Sequence, residues 1–188
     1  MRSPRRLSWA VIGLLATGTA CRTREGQVPP KSPGEALVRL QAAAKADRPG
    51  AVWELLDKTT QWSLMSVHKD QRKTCELVRA SYPKQRQVRE LRRCHAAEVA
   101  PDTKAFFIAL ARRDRATFLE PLVRFKAPGK AESDGQREAL LSDGANKLAF
   151  CKEEQGWGYC GLRDHVDQLK VKATRDLATV RENIEAFK

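Results

Sequence analysis

The spacing of apolar residues along the chain changes character near Asp114. Before this point they recur every three or four positions in segments that end at proline or glycine, which indicates helices. After it, short apolar runs are separated by turn residues, which indicates antiparallel strands. A last long segment returns to helical spacing. The sequence therefore predicts an α+β fold: N-terminal helices, then a small antiparallel β-meander and a long C-terminal helix.

Five helices are predicted in the first part of the domain. In the first, Ser32 is the N-cap, Pro33 takes the first helical position and Glu35 completes a capping box. This helix should end near Asp47. The other four are expected at about 51–57, 60–82, 84–99 and 103–113, and Asp102 can cap the last of them.

The meander is predicted from shorter segments. Residues 117–126 look like a strand that Pro121 interrupts, at an edge or a bulge, and residues 127–136 form a turn-rich loop. Strands follow at 137–141, 146–152 and 157–162. The turns between them fall at Ser142-Asp143-Gly144 and at Gln155-Gly156.

The final helix is predicted from about Asp164 to Phe187 and carries a heptad-like apolar stripe. The stripe consists of Val166, Leu169, Ala173, Leu177, Val180, Ile184 and Phe187. Two interpretations stay open. The stripe packs on this chain's own sheet or helices, or it pairs two copies or docks another envelope protein.

The first 20 residues predict export. Arg2, Arg5 and Arg6 precede an apolar run that is too short for the ~20 residues of a membrane span, and small residues follow it. Gly18-Thr19-Ala20-Cys21 resembles the lipobox of bacterial lipoproteins, which implies that Cys21 is acylated and becomes the first mature residue. Cleavage by an ordinary signal peptidase is the alternative. We thus expect a lipoprotein signal peptide at 1–20, a lipidated tether at 21–32 and one α+β domain at 33–188.

Composition and charge fit a folded, exported protein. The chain is 41% hydrophobic and 31% charged, with a formal net charge of +12. Because export separates it from nucleic acid, we expect the excess charge to meet anionic lipid or envelope polymers. Arg86, Arg89 and Arg93 share one helix face in a basic segment, which makes them the candidate contact for an anionic surface. An ordinary solvated helix face is the alternative.

Four cysteines remain after Cys21, an even number that predicts two disulfides in an exported chain. Cys75 and Cys94 flank Pro83 on two helices that we expect to be antiparallel. A turn centred on Gln155-Gly156 places Cys151 directly opposite Cys160 in a hairpin. Four buried free thiols are the alternative, and the spacing is wrong for a zinc site, so no metal is expected.

Two segments are similar to the NTF2-like (cystatin-like) superfamily. One is 36–57, with Val52-Trp53-Glu54-Leu55-Leu56-Asp57, and the other is 147–162, with Glu154-Gln155-Gly156-Trp157. The resemblance implies helices that form the lid of a conical cavity, with a mostly helical domain bearing a small sheet as the alternative fold. The whole chain also resembles small lipoproteins of myxobacterial type.

No catalytic constellation is found, and no cofactor is expected. The sequence has no nucleophile elbow, no phosphate-binding glycine loop and no metalloprotease motif. The isolated titratable candidates are Asp47, Asp57, His68, Asp70 and His95, and the aromatic cavity candidates are Trp53, Trp62, Trp157 and Tyr159.

We therefore expect a non-enzymatic lipoprotein that acts as an accessory or binding module. It should face the periplasm, and Arg22, in place of the Asp of the inner-membrane retention signal, favours the outer membrane. The alternatives are a small-ligand binder or enzyme with an NTF2-like cavity, and an assembly protein that pairs through the C-terminal helix.

Overall fold

The computed structural model describes residues 28–126, 131–133 and 137–186, with backbone alone at 131–133. The predicted signal peptide, Cys21 and the first part of the tether lie outside the described residues. Within these ranges the chain is mixed helix and sheet, with short and long helices, a small antiparallel sheet and a long last helix. The predicted α+β fold is confirmed.

The elements have the following bounds. The helices are α1 (Pro33–Lys45), α2 (Pro49–Trp53), α3 (Lys58–Ser81), α4 (Lys84–Val99), α5 (Thr103–Arg113), α6 (Arg115–Phe118), α7 (Glu120–Arg124) and α8 (Arg163–Ala186). The strands are β1 (Ala131–Ser133), β2 (Glu138–Ser142), β3 (Lys147–Lys152) and β4 (Trp157–Tyr159). They pair in sequence order, each antiparallel to the next.

Side-chain caps explain where the first helices begin. The Ser32 hydroxyl accepts the Glu35 N–H at the start of α1, as predicted. The Glu35 carboxylate accepts the N–H of Lys31, one residue outside the cap, and this hydrogen bond is the main reason that the pKa of Glu35 is lowered. Asp57 and Asp102 cap α3 and α5 in the same way.

The prediction of a strand at 117–126 is wrong, because this segment forms α6 and α7. Asp114 accepts the Thr117 N–H and caps α6, and Pro121 lies in the first turn of α7, where its missing N–H costs nothing. The most buried apolar side chains of segment 117–126 recur with helical spacing; they are Phe118, Leu119, Leu122 and Phe125. The loop prediction for 127–136 also misses β1.

The β3–β4 hairpin is shifted from the predicted register. Glu153 and Gly156 exchange backbone hydrogen bonds, so the turn residues are 154 and 155 rather than 155 and 156. Gly158, not Cys160, therefore lies opposite Cys151. Cys160 is a diagonal neighbour on the same face, and the predicted Cys151–Cys160 disulfide still forms, with a Cα–Cα distance of 5.8 Å.

The main core lies between the sheet and the helices α1, α2, α5, α6 and α7, and the first halves of α3 and α8 also contribute to it. Four fully buried phenylalanines fill its centre: Phe106, Phe107, Phe118 and Phe150. The segment that precedes α1 joins the sheet edge, because the Pro30 carbonyl accepts the Trp157 N–H at 2.9 Å. Part of the predicted tether is thus held against the domain.

The two longest helices, α3 and α8, pack along each other and extend past the main core. Each has 24 residues, which corresponds to about 36 Å. Val166, Ala173, Leu177 and Val180 of the predicted stripe are buried, and Phe187 lies outside the described residues. Because α8 packs on α3, pairing two copies through the stripe would require α8 to leave the domain.

Candidate functional site

A groove lies at the far end of α3, where α4 and α8 pack on α3 from two sides. Its volume is about 490 Å³. It is lined by Gln71 and Thr74 of α3, Tyr82 of the following turn, Gln85, Arg86, Arg89, Glu90, Arg93 and Cys94 of α4, and Asp176, Thr179, Val180 and Asn183 of α8. This arginine groove contains all three cations that the sequence singles out.

The three arginines lie in the groove because of their spacing on α4. Arg86, Arg89 and Arg93 are three and four positions apart, so they project from one helix face. All three side chains are exposed. Arg93 contacts Glu90 at 3.1 Å in an i, i+3 ion pair that is open to solvent. The predicted shared face is therefore one wall of the groove.

Two carboxylates partly neutralise the positive charge of the groove. Glu90 stands between the arginines on α4, and Asp176 faces them from α8. The groove is thus not a uniform cationic surface, although the three arginines lie in a basic segment of the sequence. A ligand that fits it carries anionic groups for the guanidinium side chains together with hydrogen-bond donors for the two carboxylates.

The floor of the groove is fixed by covalent and hydrogen bonds. The disulfide Cys75–Cys94 joins α3 to α4 with a Cα–Cα distance of 5.8 Å, as predicted. The Gln87 amide donates to the Tyr82 carbonyl at 2.8 Å and closes the α3–α4 turn. The Asn183 amide donates to the Tyr82 hydroxyl at 2.9 Å and holds α8 to the same turn. These links hold the arginine wall in place before any ligand arrives.

The side chains in the groove are suited to binding oxyanions. A guanidinium group presents paired N–H donors that match two oxygens of a phosphate or carboxylate, and it keeps its charge at any relevant pH. Amide and hydroxyl groups of Gln71, Gln85, Thr179 and Asn183 add neutral donors and acceptors. Sugar or glycerol hydroxyls are natural partners for such groups.

The isolated titratable candidates are held by separate structural partners. His68 is buried, contacts the Ala97 carbonyl at 3.0 Å and stacks on Phe106. Asp57 is 1% exposed and accepts two hydrogen bonds from Arg163.

The other three candidates also have roles outside the groove. Asp47 pairs with Arg115, and Asp70 accepts from the Thr174 hydroxyl. His95 is exposed and lies 3.9 Å from Glu98. The structure therefore does not bring the sequence candidates together at one reaction centre.

The aromatic cavity candidates are also separated. Trp53 packs against Phe107, and Tyr159 is buried against Phe150, where burial raises the pKa of its hydroxyl. Trp157 lines a second cleft of about 650 Å³ between the residues before α1 and the β3–β4 hairpin. Trp62 is 63% exposed on α3 and lines neither cavity.

One cluster has the residue types of a metal site. The Glu138 carboxylate lies 3.7 Å from the Cys151 sulfur and 3.8 Å from the Cys160 sulfur. Both sulfurs belong to the disulfide, so they offer no thiolate to a metal. The two sulfurs lie close together because they form the disulfide.

Sequence reasoning missed the contribution of α8 to the groove. Asp176, Thr179 and Asn183 are spaced by three and four residues beside the apolar stripe, so they form a polar margin on the same helix. That margin was visible in the sequence. Its position opposite α4 depends on α3, α4 and α8 packing together, which no local pattern shows.

The comparisons with known proteins add no relative. No protein-family model, no curated protein and no solved structure matches the chain. The similarity to the NTF2-like superfamily and to myxobacterial-type lipoproteins therefore stays a prediction. Across the described residues, every helix is too short or too polar to cross a membrane.

Proposed function

We propose that the chain is a lipid-anchored binding module of the cell envelope that holds a phosphate-bearing ligand in the arginine groove. The observation that carries the proposal is the placement of Arg86, Arg89 and Arg93 on one wall of a groove whose floor is cross-linked. The anchor is supported by the sequence around Cys21. The protein faces the periplasm, on the outer membrane.

The groove favours a phosphate ester over a simple anion. Three exposed guanidinium groups spread along two turns of α4 suit several oxyanions or one extended one. Glu90 and Asp176 repel a bare polyanion and accept hydrogen bonds from hydroxyl groups. A phosphorylated headgroup or a phosphorylated saccharide supplies both kinds of group, either within a lipid bilayer or as a soluble polymer.

The test of the groove compares two triple variants of equal charge change. One replaces the groove arginines by glutamine, and its control replaces Arg48, Arg112 and Arg113, which are exposed arginines of other elements. Binding is measured to phosphatidylglycerol vesicles and to soluble phosphorylated glycan, which separates the two sources.

We expect the groove variant to lose at least about tenfold in affinity for one of the two probes, since each hydrogen bond to a charged group contributes about 1.5–3 kcal/mol after exchange with water. The control variant should retain binding. Equal losses in both variants would show that net charge alone attracts the probe, and the groove would then have no special role.

The test of the anchor uses Cys21→Ser in the full chain. The mature native protein should carry acyl chains by intact mass and remain with the membrane fraction, because each buried CH₂ group contributes about 0.8 kcal/mol. The variant should lose both properties. A native protein that is soluble and unmodified would refute the lipid anchor and leave a free exported domain.

A further inference from the structure

The outer face of α3 carries an exposed apolar pair that neither the core nor the arginine groove uses. Trp62 is 63% exposed and Met65 is 52% exposed. They are three residues apart, so they lie side by side on the helix surface. A tryptophan and a methionine exposed on one helix turn form a small continuous apolar surface.

Basic side chains surround this pair. Lys58, Lys69 and Arg72 fall on the same side of α3 and are exposed. None of the three side chains forms an ion pair within the described ranges 28–126 and 137–186. Tryptophan flanked by lysine and arginine is the combination found at the boundary between lipid headgroups and acyl chains.

The chain enters the domain beside this face. Val28 lines the second cleft together with Lys58 and Gln61, which belong to the first turn of α3. Trp62 follows Gln61 directly. Residues 21–27 between Cys21 and Val28 span at most about 25 Å when fully extended. A bilayer that holds an acylated Cys21 is therefore within reach of this side of the domain.

The arginine groove lies on the other side of the same helix. At 3.6 residues per turn, Gln71 in the groove is displaced by roughly 120–180° around α3 from Trp62, Met65 and Lys69. Both surfaces cannot lie flat on one membrane. The apolar pair, the shorter path from the tether and the unpaired cations favour the outer face of α3 as the membrane side.

We infer that the Trp62–Met65 face of α3 rests in the headgroup region of an anionic bilayer and turns the arginine groove toward the aqueous compartment. The inference relies on the proposed function for the anchor that supplies the bilayer. It narrows the ligand of the groove to a phosphate-bearing group presented from the aqueous side.

The experiment places the mature, acylated protein in phosphatidylglycerol-rich liposomes that contain lipids brominated near the headgroup. Removal of the signal peptide leaves Trp53, Trp62 and Trp157 as fluorophores, and comparison with Trp62→Phe isolates the signal of Trp62. We expect bromolipid quenching that disappears in Trp62→Phe. Protein that is anchored in the liposomes but shows no Trp62-dependent quenching overturns the inference while leaving the anchor intact.

A second measurement covers the case in which the protein proves to be unacylated. Trp62→Ser/Met65→Ser is compared with Val38→Ser/Val88→Ser, a matched pair of exposed apolar residues on other helices. With added phosphatidylglycerol vesicles, the first variant should bind at least about tenfold more weakly than the control. Equal binding of the two variants overturns the inference. A blue shift of the Trp62 fluorescence that grows with protein concentration in the absence of lipid also overturns it, because a second copy would then cover the face.

Discussion

The buried carboxylate of Asp57 joins three elements, and its removal should be among the most damaging single changes in the chain. Asp57 caps α3, accepts the Thr60 hydroxyl and accepts from Nε and Nη2 of Arg163 at 3.2 and 2.7 Å. Its own N–H donates to the Tyr159 carbonyl of β4. The start of α3, the end of the sheet and the start of α8 therefore meet at this residue.

The expected cost of Asp57→Ala is the sum of a lost cap and a lost ion pair. Removing an N-cap costs about 1 kcal/mol. Hydrogen bonds to a charged group contribute about 1.5–3 kcal/mol. The Arg163 side chain is 37% exposed, so solvent screens the pair and the lower part of that range applies. We expect a loss of about 3 kcal/mol and a decrease in Tm of about 10 °C.

The assay is urea denaturation followed by circular dichroism, with both disulfides oxidised. A double-mutant cycle with Arg163→Gln isolates the ion pair from the cap, and Asp57→Asn retains an acceptor for the cap while it removes the charge. We expect a coupling energy of at least about 1 kcal/mol between Asp57 and Arg163. A cost below about 1 kcal/mol for Asp57→Ala, or additive single variants, would refute this account.

Three further predictions concern stability. Cys75→Ala/Cys94→Ala removes a disulfide that joins residues 19 positions apart. It should lower the free energy of unfolding by about 3 kcal/mol in urea denaturation. An unchanged free energy of unfolding would show that α3 and α4 stay paired without the disulfide. Gly158→Ala should cost about 1–3 kcal/mol, because the new Cβ would lie 2.8 Å from the Asp57 Cα, and an unchanged Tm would contradict this close approach. The Lys126 N–H and then the Asn146 N–H lower the pKa of Asp143 to about 2, so its contribution to stability should be present above pH 4 and be lost as pH falls toward 2. Asp143→Asn should reduce the loss of unfolding free energy between about pH 4 and pH 2. An identical pH dependence of stability in the variant would contradict this role of Asp143.

The helical part of the fold was predictable because its signals are local. Ser32 and Asp102 cap α1 and α5 in the structure as they do in the sequence. Pro83 separates α3 from α4 at the predicted place. Caps and prolines act on the few residues beside them, so no knowledge of the tertiary structure is needed to place them.

The errors arose where two local signals compete. Pro121 predicts an interrupted strand when the sequence is taken alone, although proline is also common in the first turn of a helix. The burial of Phe118, Leu122 and Phe125 follows helical spacing, which favours α6 and α7 over a strand. In the hairpin, Gly156 suggested the turn itself, but it is the residue after it, where a Cβ would lie 2.5 Å from the Pro30 carbonyl. That contact comes from the segment before α1, far away in sequence.

The candidate site was predictable in part. The shared face of Arg86, Arg89 and Arg93 follows from their spacing on one helix, and so does the pairing of Cys75 with Cys94 across a helical hairpin. The opposing wall from α8 was not predictable, because it requires α8 to pack along α3 beyond the main core. Charge counting alone also overstated the positive potential, since Asp176 enters the groove from that distant helix.

The disulfide at the floor of the groove has a physical reason in the small size of the apolar cluster around it. Where α3 extends past the main core, Val78, Tyr82 and Val180 form a small buried cluster with a few partly buried neighbours. Such a cluster buries too little surface to offset the entropy of ordering three helix ends. A cross-link between α3 and α4 reduces that entropy cost without filling the space between α4 and α8 with apolar side chains. The groove can therefore stay open and polar because covalent bonding, rather than a larger core, holds its walls.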